Sequence, residues 1–212
     1  MKRNSSFVVQ CAGASAMCAC AGAAMGQCQG QWVNSASGFN GVVNAMTAWD
    51  PDGGGPMQPV LVAGGDFTAP PGLHIAQWNG TSWSSVGTGI GGTFDTVTTL
   101  AVFNNLLIAG GFFSTAGGNG ANNIAKWNGT AWSALGAGIT GSVNAMTVYN
   151  NELIVGGSFT TAGTTGANNI ARWNGTTWNA LGTGIGGDVY ALTVLGSDLI
   201  VAGFFSTAGG GA

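Results

Sequence analysis

The stretch NIAKWNGTAWSALGAGITGSVNAMTVYNNELIVGGSF, Asn123–Phe159, returns 46 residues later as NIARWNGTTWNALGTGIGGDVYALTVLGSDLIVAGFF, Asn169–Phe205. Self-similarity at such a period marks an array in which each unit is one supersecondary element that buries its apolar face against its neighbours. The fold is therefore read per unit. A residue that recurs in every copy serves architecture first, so function is sought where the copies differ.

Within one unit, Ser142 to Tyr149 alternates as a strand, Asn150-Asn151 makes a turn, and Leu153 to Phe159 is a second strand carrying Gly156-Gly157. A longer loop, Thr160 to Asn168, leads to a third strand, Asn169 to Trp173. Asn174-Gly175 reads as a type I′ hairpin turn before a fourth strand, Thr177 to Leu181. Four antiparallel strands per unit predict an all-β propeller of four-stranded blades. The same grammar recurs as Gly64-Gly65 with Trp78 and Trp83, and as Gly110-Gly111 with Trp127 and Trp132. Units are expected at 41–86, 93–135 and 141–181, with a two-strand partial unit at 188–205, and Trp32 in the last strand of a preceding unit within 27–40. The expectation is an open arc of about three and a half blades, a fragment of a longer array.

Glycine is abundant, at 40 of 212 residues, and charged residues are 5% of the chain, which suits short strands and tight turns and excludes a charged disordered tail. The N-terminus differs. Lys2 and Arg3 precede a small-residue, alanine-rich run, Phe7 to Gly26, with no acidic residue before Asp50. Residues 1–26 read as a secretory signal peptide, cleaved after Gly26 or after Ala23, and the protein as secreted or cell-surface. Cys11, Cys18 and Cys20 leave with that segment, so Cys28 is a lone thiol and no disulfide framework is expected. Lys126 and Arg172 then remain as the basic side chains, too few to neutralise phosphates, which excludes nucleic-acid partners and disfavours anionic membranes.

A glycine doublet closing the second strand, an aromatic on the third and a tryptophan a few residues later, as in Gly156-Gly157, Trp173 and Trp178, resemble the kelch blade, with Trp173 where tyrosine is usual. The fuller pattern VxAMTV, LIVGGxFTTAG, NNIAxWNGTxWxALGxGI is similar to kelch-like repeats of exported bacterial proteins and of fungal cell-surface polarity markers. The resemblance covers the chain after Gln31 and implies a propeller fold; such rings have six or seven blades, on the order of 280 to 320 residues. It says little of function, because propellers host unrelated activities. A copper site like that of kelch-fold galactose oxidases, which the resemblance suggests, lacks ligands: His74 is the one histidine, and Tyr149 and Tyr190 the two tyrosines.

The tryptophan pairs read as packing, with a sugar-stacking platform as the alternative. Trp49, without a tryptophan counterpart in later units, reads as core. Asn79-Gly80-Thr81, Asn128-Gly129-Thr130 and Asn174-Gly175-Thr176 read as turns that also match the N-glycosylation pattern. Asp50-Pro51-Asp52-Gly53-Gly54-Gly55 lengthens the first hairpin and offers two carboxylates, without the further ligands of a calcium loop. Arg172 reads as a solvated strand residue and His74 as a surface or loop residue. Asp95 and Asp188 enter their units at similar positions, leaving a paired-carboxylate glycosidase as an alternative. No catalytic, metal or cofactor constellation emerges. The expected role is a non-catalytic binding or structural module for a protein or glycan partner, the alternative a carbohydrate-binding module or carbohydrate-active enzyme fragment. Asp50, Asp52, Asp66 and His74 are the candidate partner-binding residues, because the first unit departs from its sisters there.

Overall fold

The computed structural model describes residues 7–10, 31–34, 39–68, 72–91 and 95–209. The described residues are all-β, in several small antiparallel sheets, with no helix among them. In chain order the strands are β1 (Phe7–Gln10), β2 (Gln31–Asn34), β3 (Val43–Trp49), β4 (Val60–Gly65), β5 (Ile75–Trp78), β6 (Trp83–Ser85) and β7 (Ile90–Gly91). There follow β8 (Thr96–Phe103), β9 (Leu106–Phe112), β10 (Thr115–Ala116), β11 (Asn119–Gly120), β12 (Ile124–Trp127) and β13 (Trp132–Ala134). The rest are β14 (Ile139–Tyr149), β15 (Glu152–Ala162), β16 (Thr165–Gly166), β17 (Ile170–Trp173), β18 (Trp178–Ala180), β19 (Ile185–Leu195) and β20 (Asp198–Ala208).

Three sheets share one topology: β3-β4-β5-β6, β8-β9-β12-β13 and β14-β15-β17-β18, with β16 added to β15 in the third. Their registers coincide, placing Trp78 opposite Trp83, Trp127 opposite Trp132 and Trp173 opposite Trp178. β19 and β20 form a fourth hairpin. Of the segment read as a signal peptide, β1 is described, paired with β2 so that Val9 faces Trp32; Cys28 lies outside the described residues.

The turns correct one expectation. Positive φ at both central residues, the requirement of a type I′ turn, occurs at Asn104-Asn105 and Asn150-Asn151. At Asn174-Gly175 only the glycine has positive φ, 103°. Asn174 instead accepts the Thr176 and Thr177 amides on its own Oδ1, an Asx turn spanning a four-residue loop between Trp173 and Trp178. Asn79 and Asn128 repeat it.

The core lies between sheets. One buried cluster joins Phe103, Ile108 and Leu135 of the second unit to Val143, Leu153 and Trp178 of the third, and another joins Val62 and Ile75 of the first to Val97 and Leu107 of the second. The second strand of each four-stranded sheet is largely buried on both faces, in contrast to the alternating burial of β8. The glycine doublets explain how neighbours come so close. A Cβ at Gly64, Gly110 or Gly156 would lie 2.4, 2.6 or 2.4 Å from a methyl of Val97, Val143 or Val189 on the next sheet. Polar bonds cross the same joints: Asn44 donates to Val97 O and Asn144 to Val189 O, at 3.2 and 3.0 Å, and Thr98 donates to Val143 O.

The tryptophan pairs belong to this joint. Trp132 Nε1 donates to Val86 O at 2.9 Å and Trp178 Nε1 to Leu135 O at 3.1 Å, each reaching back to the preceding unit. Gly87 and Gly136 lie over the indole pairs of the units that follow them. Trp49 is 2% exposed and donates to Asn105 O. The indoles of the second and third sheets are thus packing elements, and a stacking platform for sugars would need their faces free.

Candidate functional site

The four positions where the first unit departs from its sisters do not form one site. Asp50 accepts the Gly54 amide on Oδ2 at 2.8 Å and the Asp52 amide on Oδ1 at 3.3 Å. Asp52 accepts the Met57 amide at 2.9 Å, and that bond holds its carboxyl below the usual carboxylate range, against a smaller opposing effect of desolvation. The two carboxylates therefore fold their own loop. That loop leans on the second unit, since a Cβ at Gly53 would meet the Asn105 side chain at 2.5 Å. Asp66, exposed after β4, accepts the Val42 amide. Among the described residues no group of three His, Cys, Asp or Glu could hold a metal ion.

His74, read as a surface or loop residue, lies in the loop before β5 but not at the surface. It is 7% exposed, at the joint between the first and second sheets, with φ 59°. Its counterparts, Asn123 and Asn169, have φ 61° and 60°. The backbone is the same in all three: each donates its amide to the carbonyl of Phe67, Phe113 or Phe159 at 2.9 Å. The side chains are not. Asn123 accepts the Phe113 amide and donates to Ile139 O at 2.8 Å; Asn169 accepts the Phe159 amide and donates to Ile185 O at 2.8 Å. Each asparagine so staples its own second strand to the entry of the next unit. Asn123→Ala removes both bonds and leaves a β-carbon at positive φ, so a loss of about 1–3 kcal/mol is expected in urea unfolding.

His74 makes neither bond, and its Nδ1 is buried without a partner. Asp95, just before β8, is also buried, 8% exposed, with Oδ2 unpartnered, and neither a hydrogen bond nor an ion pair joins it to His74. Burial pushes the Asp95 carboxyl up, and the charge of His74 works against that rise. Nothing in the sequence pattern signals the burial of these two residues, which belong to different units. What betrays it afterwards is spacing: seven residues separate Ile90 from Val97, against four from Ile139 to Val143 and four from Ile185 to Val189. Asp95 rides on those extra residues.

Asp188 stands apart, on β19, where Tyr190 OH donates to its Oδ2 at 3.4 Å. β14 of the third sheet packs against both β8, which follows Asp95, and β19, which carries Asp188. Arg172, expected to be solvated, donates from Nη1 to Glu152 Oε2 at 3.0 Å, with its side chain 42% exposed. Such an exposed pair contributes about 0–1 kcal/mol, so Arg172→Ala is expected to shift the urea midpoint little.

No family model and no curated protein matches the chain. Among solved structures it is similar to the computationally designed Ika4 protein, at 15% identity and a TM-score of 0.50, over 79% of this chain and 88% of that one. It is also similar to the computationally designed Ika8 protein, at 16% identity and a TM-score of 0.49, over 79% of this chain and 44% of that one. The chain thus spans less than half of the Ika8 chain. The likeness to Ika4 is one of fold alone.

Proposed function

We propose that the chain is part of an exported, kelch-like β-propeller serving as a rigid, non-catalytic binding or structural module, which meets a protein or glycan partner through the loops between strands. The observation that carries this reading is a repeated joint: one glycine–valine contact packs each four-stranded sheet against the strands that follow, three times over, and an asparagine staple recurs at two of those joints, which suits blades of a propeller. Such an array holds its loops in fixed relation, and the loops vary where the strands do not. Export rests on the composition of residues 1–26.

The partner-facing residues on this reading are Asp66 and the loop from Asp50 to Met57, which lie at the surface or half-buried. His74 drops out of that set, because it is inside the first joint. The test has two parts. Secretion from a host with an export pathway, followed by N-terminal sequencing, is expected to give a chain starting at Gln27; a retained Met1 contradicts export. A glycan array together with a chromogenic glycoside panel is expected to show no turnover, with any binding weakened by Asp66→Ala. Turnover that disappears in Asp95→Asn or Asp188→Asn contradicts the non-catalytic role and makes the chain an enzyme.

A further inference from the structure

The fourth hairpin repeats the first half of the third sheet. β19 and β20 pair Val189 with Gly203, Ala191 with Ala202 and Leu192 with Val201, as β14 and β15 pair Val143 with Gly157, Ala145 with Gly156 and Met146 with Val155, the irregularity after the valine included. The far edge of β15 is taken by β17, with Leu153 opposite Trp173 and Gly156 opposite Ile170. Among the described residues no strand takes the far edge of β20. The open donors on that edge follow from the match. Gly157 donates its amide to Asn169 O at 3.0 Å, so by alternation the amides of Val155 and Leu153 also point toward β17. Their counterparts in β20 are Gly203, Val201 and Leu199.

Proteins commonly blunt an open edge by shortness, charge or proline. The outermost strands of the other sheets, β6, β13 and β18, are three residues long. β20 runs for eleven, with neither a charged residue nor a proline after Asp198, and its Ile200 and Phe204 are 42% and 79% exposed. The place of the two further strands is formed on the other side as well. Gly136 lies over the tryptophans of the third unit, where a Cβ would stand 2.9 Å from Trp173 and 3.0 Å from Trp178, and Leu135 O takes the Trp178 indole. Gly182 has the same backbone, φ 58° against 60°, yet a Cβ there meets nothing within 4 Å. Leu181 O accepts the Gly184 amide, as Leu135 O accepts that of Gly138, and among the described residues no indole reaches it.

An edge, a carbonyl and a bare glycine thus stand where the third sheet holds its third and fourth strands. We propose that the fourth hairpin is an acceptor for strand addition, taking from a separate polypeptide an antiparallel hairpin that carries Ile-Ala-x-Trp and, five residues after that tryptophan, a second one. The partner's first tryptophan falls opposite Leu199 and its isoleucine opposite Ala202, the register of β15 with β17. Main-chain bonds to the amides of Leu199, Val201 and Gly203 give affinity; the second indole, donating to Leu181 O beneath Gly182, gives specificity. A second copy of this chain does not supply the hairpin, because its three of this kind are already held in its own sheets. The surface is separate from the loop of Asp50 to Met57 and does not depend on export.

The test adds to the full chain a labelled synthetic peptide with the sequence of residues 168–181, NNIARWNGTTWNAL. Fluorescence anisotropy is expected to show saturable one-to-one binding, and amide exchange is expected to slow in β20 and stay unchanged in β9. Phenylalanine at the peptide's second tryptophan should weaken binding about fivefold, the value of one net hydrogen bond. Val201→Pro, which removes a donor pointing away from β19, should abolish binding and leave the β19–β20 pairing protected. A peptide with proline in place of the alanine before its arginine interrupts the same bonds without touching the chain's own fold, and it should not bind. Absence of binding, equal binding of a shuffled peptide, or slowed exchange outside β20 overturns the proposal. A dimer of the chain in light scattering that Val201→Pro dissolves, with no peptide bound, gives the edge to a second copy and overturns it too.

Discussion

Gly156→Ala is expected to cost about 3 kcal/mol, which for a chain of this size lowers the melting temperature by about 6–12 °C. The added carbon would stand 2.4 Å from Val189 Cγ1, 3.0 Å from Val189 Cβ and 3.3 Å from Leu192 Cδ1. Contacts this short on a β-branched residue cannot be relieved by a rotamer change alone, because Val189 is fully buried on a strand of its own hairpin. The sheets must move apart, and the dispersion contacts of the whole joint weaken with them. The same change at Gly64 or Gly110 should behave alike, since Val97 and Val143 stand in the same place. Ala202, the counterpart in β20, supplies the control: it already carries the methyl group and is exposed, so Ala202→Gly should cost only about 0.5–1 kcal/mol, the entropy of glycine in a strand. A double-mutant cycle gives the direct check. If the penalty arises from this contact, Gly156→Ala and Val189→Ala together should cost less than the sum of the two singly.

The second large effect falls on the tryptophans, and their order is the informative part. Trp178→Ala is expected to lose about 3–5 kcal/mol, because it empties a site 6% exposed between two sheets and takes one of two donors from the Leu135 carbonyl, the Gly138 amide remaining. Trp132 is in the same position, with Val86 O as its acceptor. Trp83 is not: its indole Nε1 is buried and has no partner. Replacement by phenylalanine should therefore separate the three. At Trp132 and Trp178 it removes a donor from a buried carbonyl; at Trp83 it removes a donor that is itself unsatisfied. Urea unfolding should show a smaller loss for Trp83→Phe than for Trp132→Phe or Trp178→Phe, by about 1–2 kcal/mol. Equal losses would mean that the indole bonds add nothing to the joint.

Both effects come from residues that the repeat made legible. The period, the glycine doublets and the tryptophan spacing give the unit and its four strands, because each arises from local pattern: alternation, turn chemistry and close approach. Residues whose meaning depends on the neighbouring unit were harder to read. Asn169 reads in sequence as the first residue of the third strand, yet it and Asn123 stand just before their strands at positive φ and bond across a joint. The Asn-Gly turns misled for a related reason. The asparagine side chain captures two amides of its own loop, which takes the place of the positive-φ pair that the dipeptide suggests.

The candidate site shows the same division. Asp50, Asp52 and Asp66 stand out in the sequence because they interrupt the repeat, and the structure finds each of them engaged with a nearby backbone amide. His74 and Asp95 are instead two departures in different units, a substitution and a three-residue difference in spacing, and their burial shows only in the folded chain.

The claim beneath all of this is that joints between sheets, not the sheets singly, hold the fold. Amide hydrogen exchange of the full chain, resolved strand by strand by mass spectrometry at neutral pH, tests it most directly. The joints predict strong and similar protection in β9 and β15, which are buried on both faces, and much weaker protection in β20, a strand as long as β15 that pairs with β19 alone and whose Phe204 is 79% exposed. Protection in β20 equal to that in β15 would mean that a hairpin is stable without a covered face, and would contradict the account.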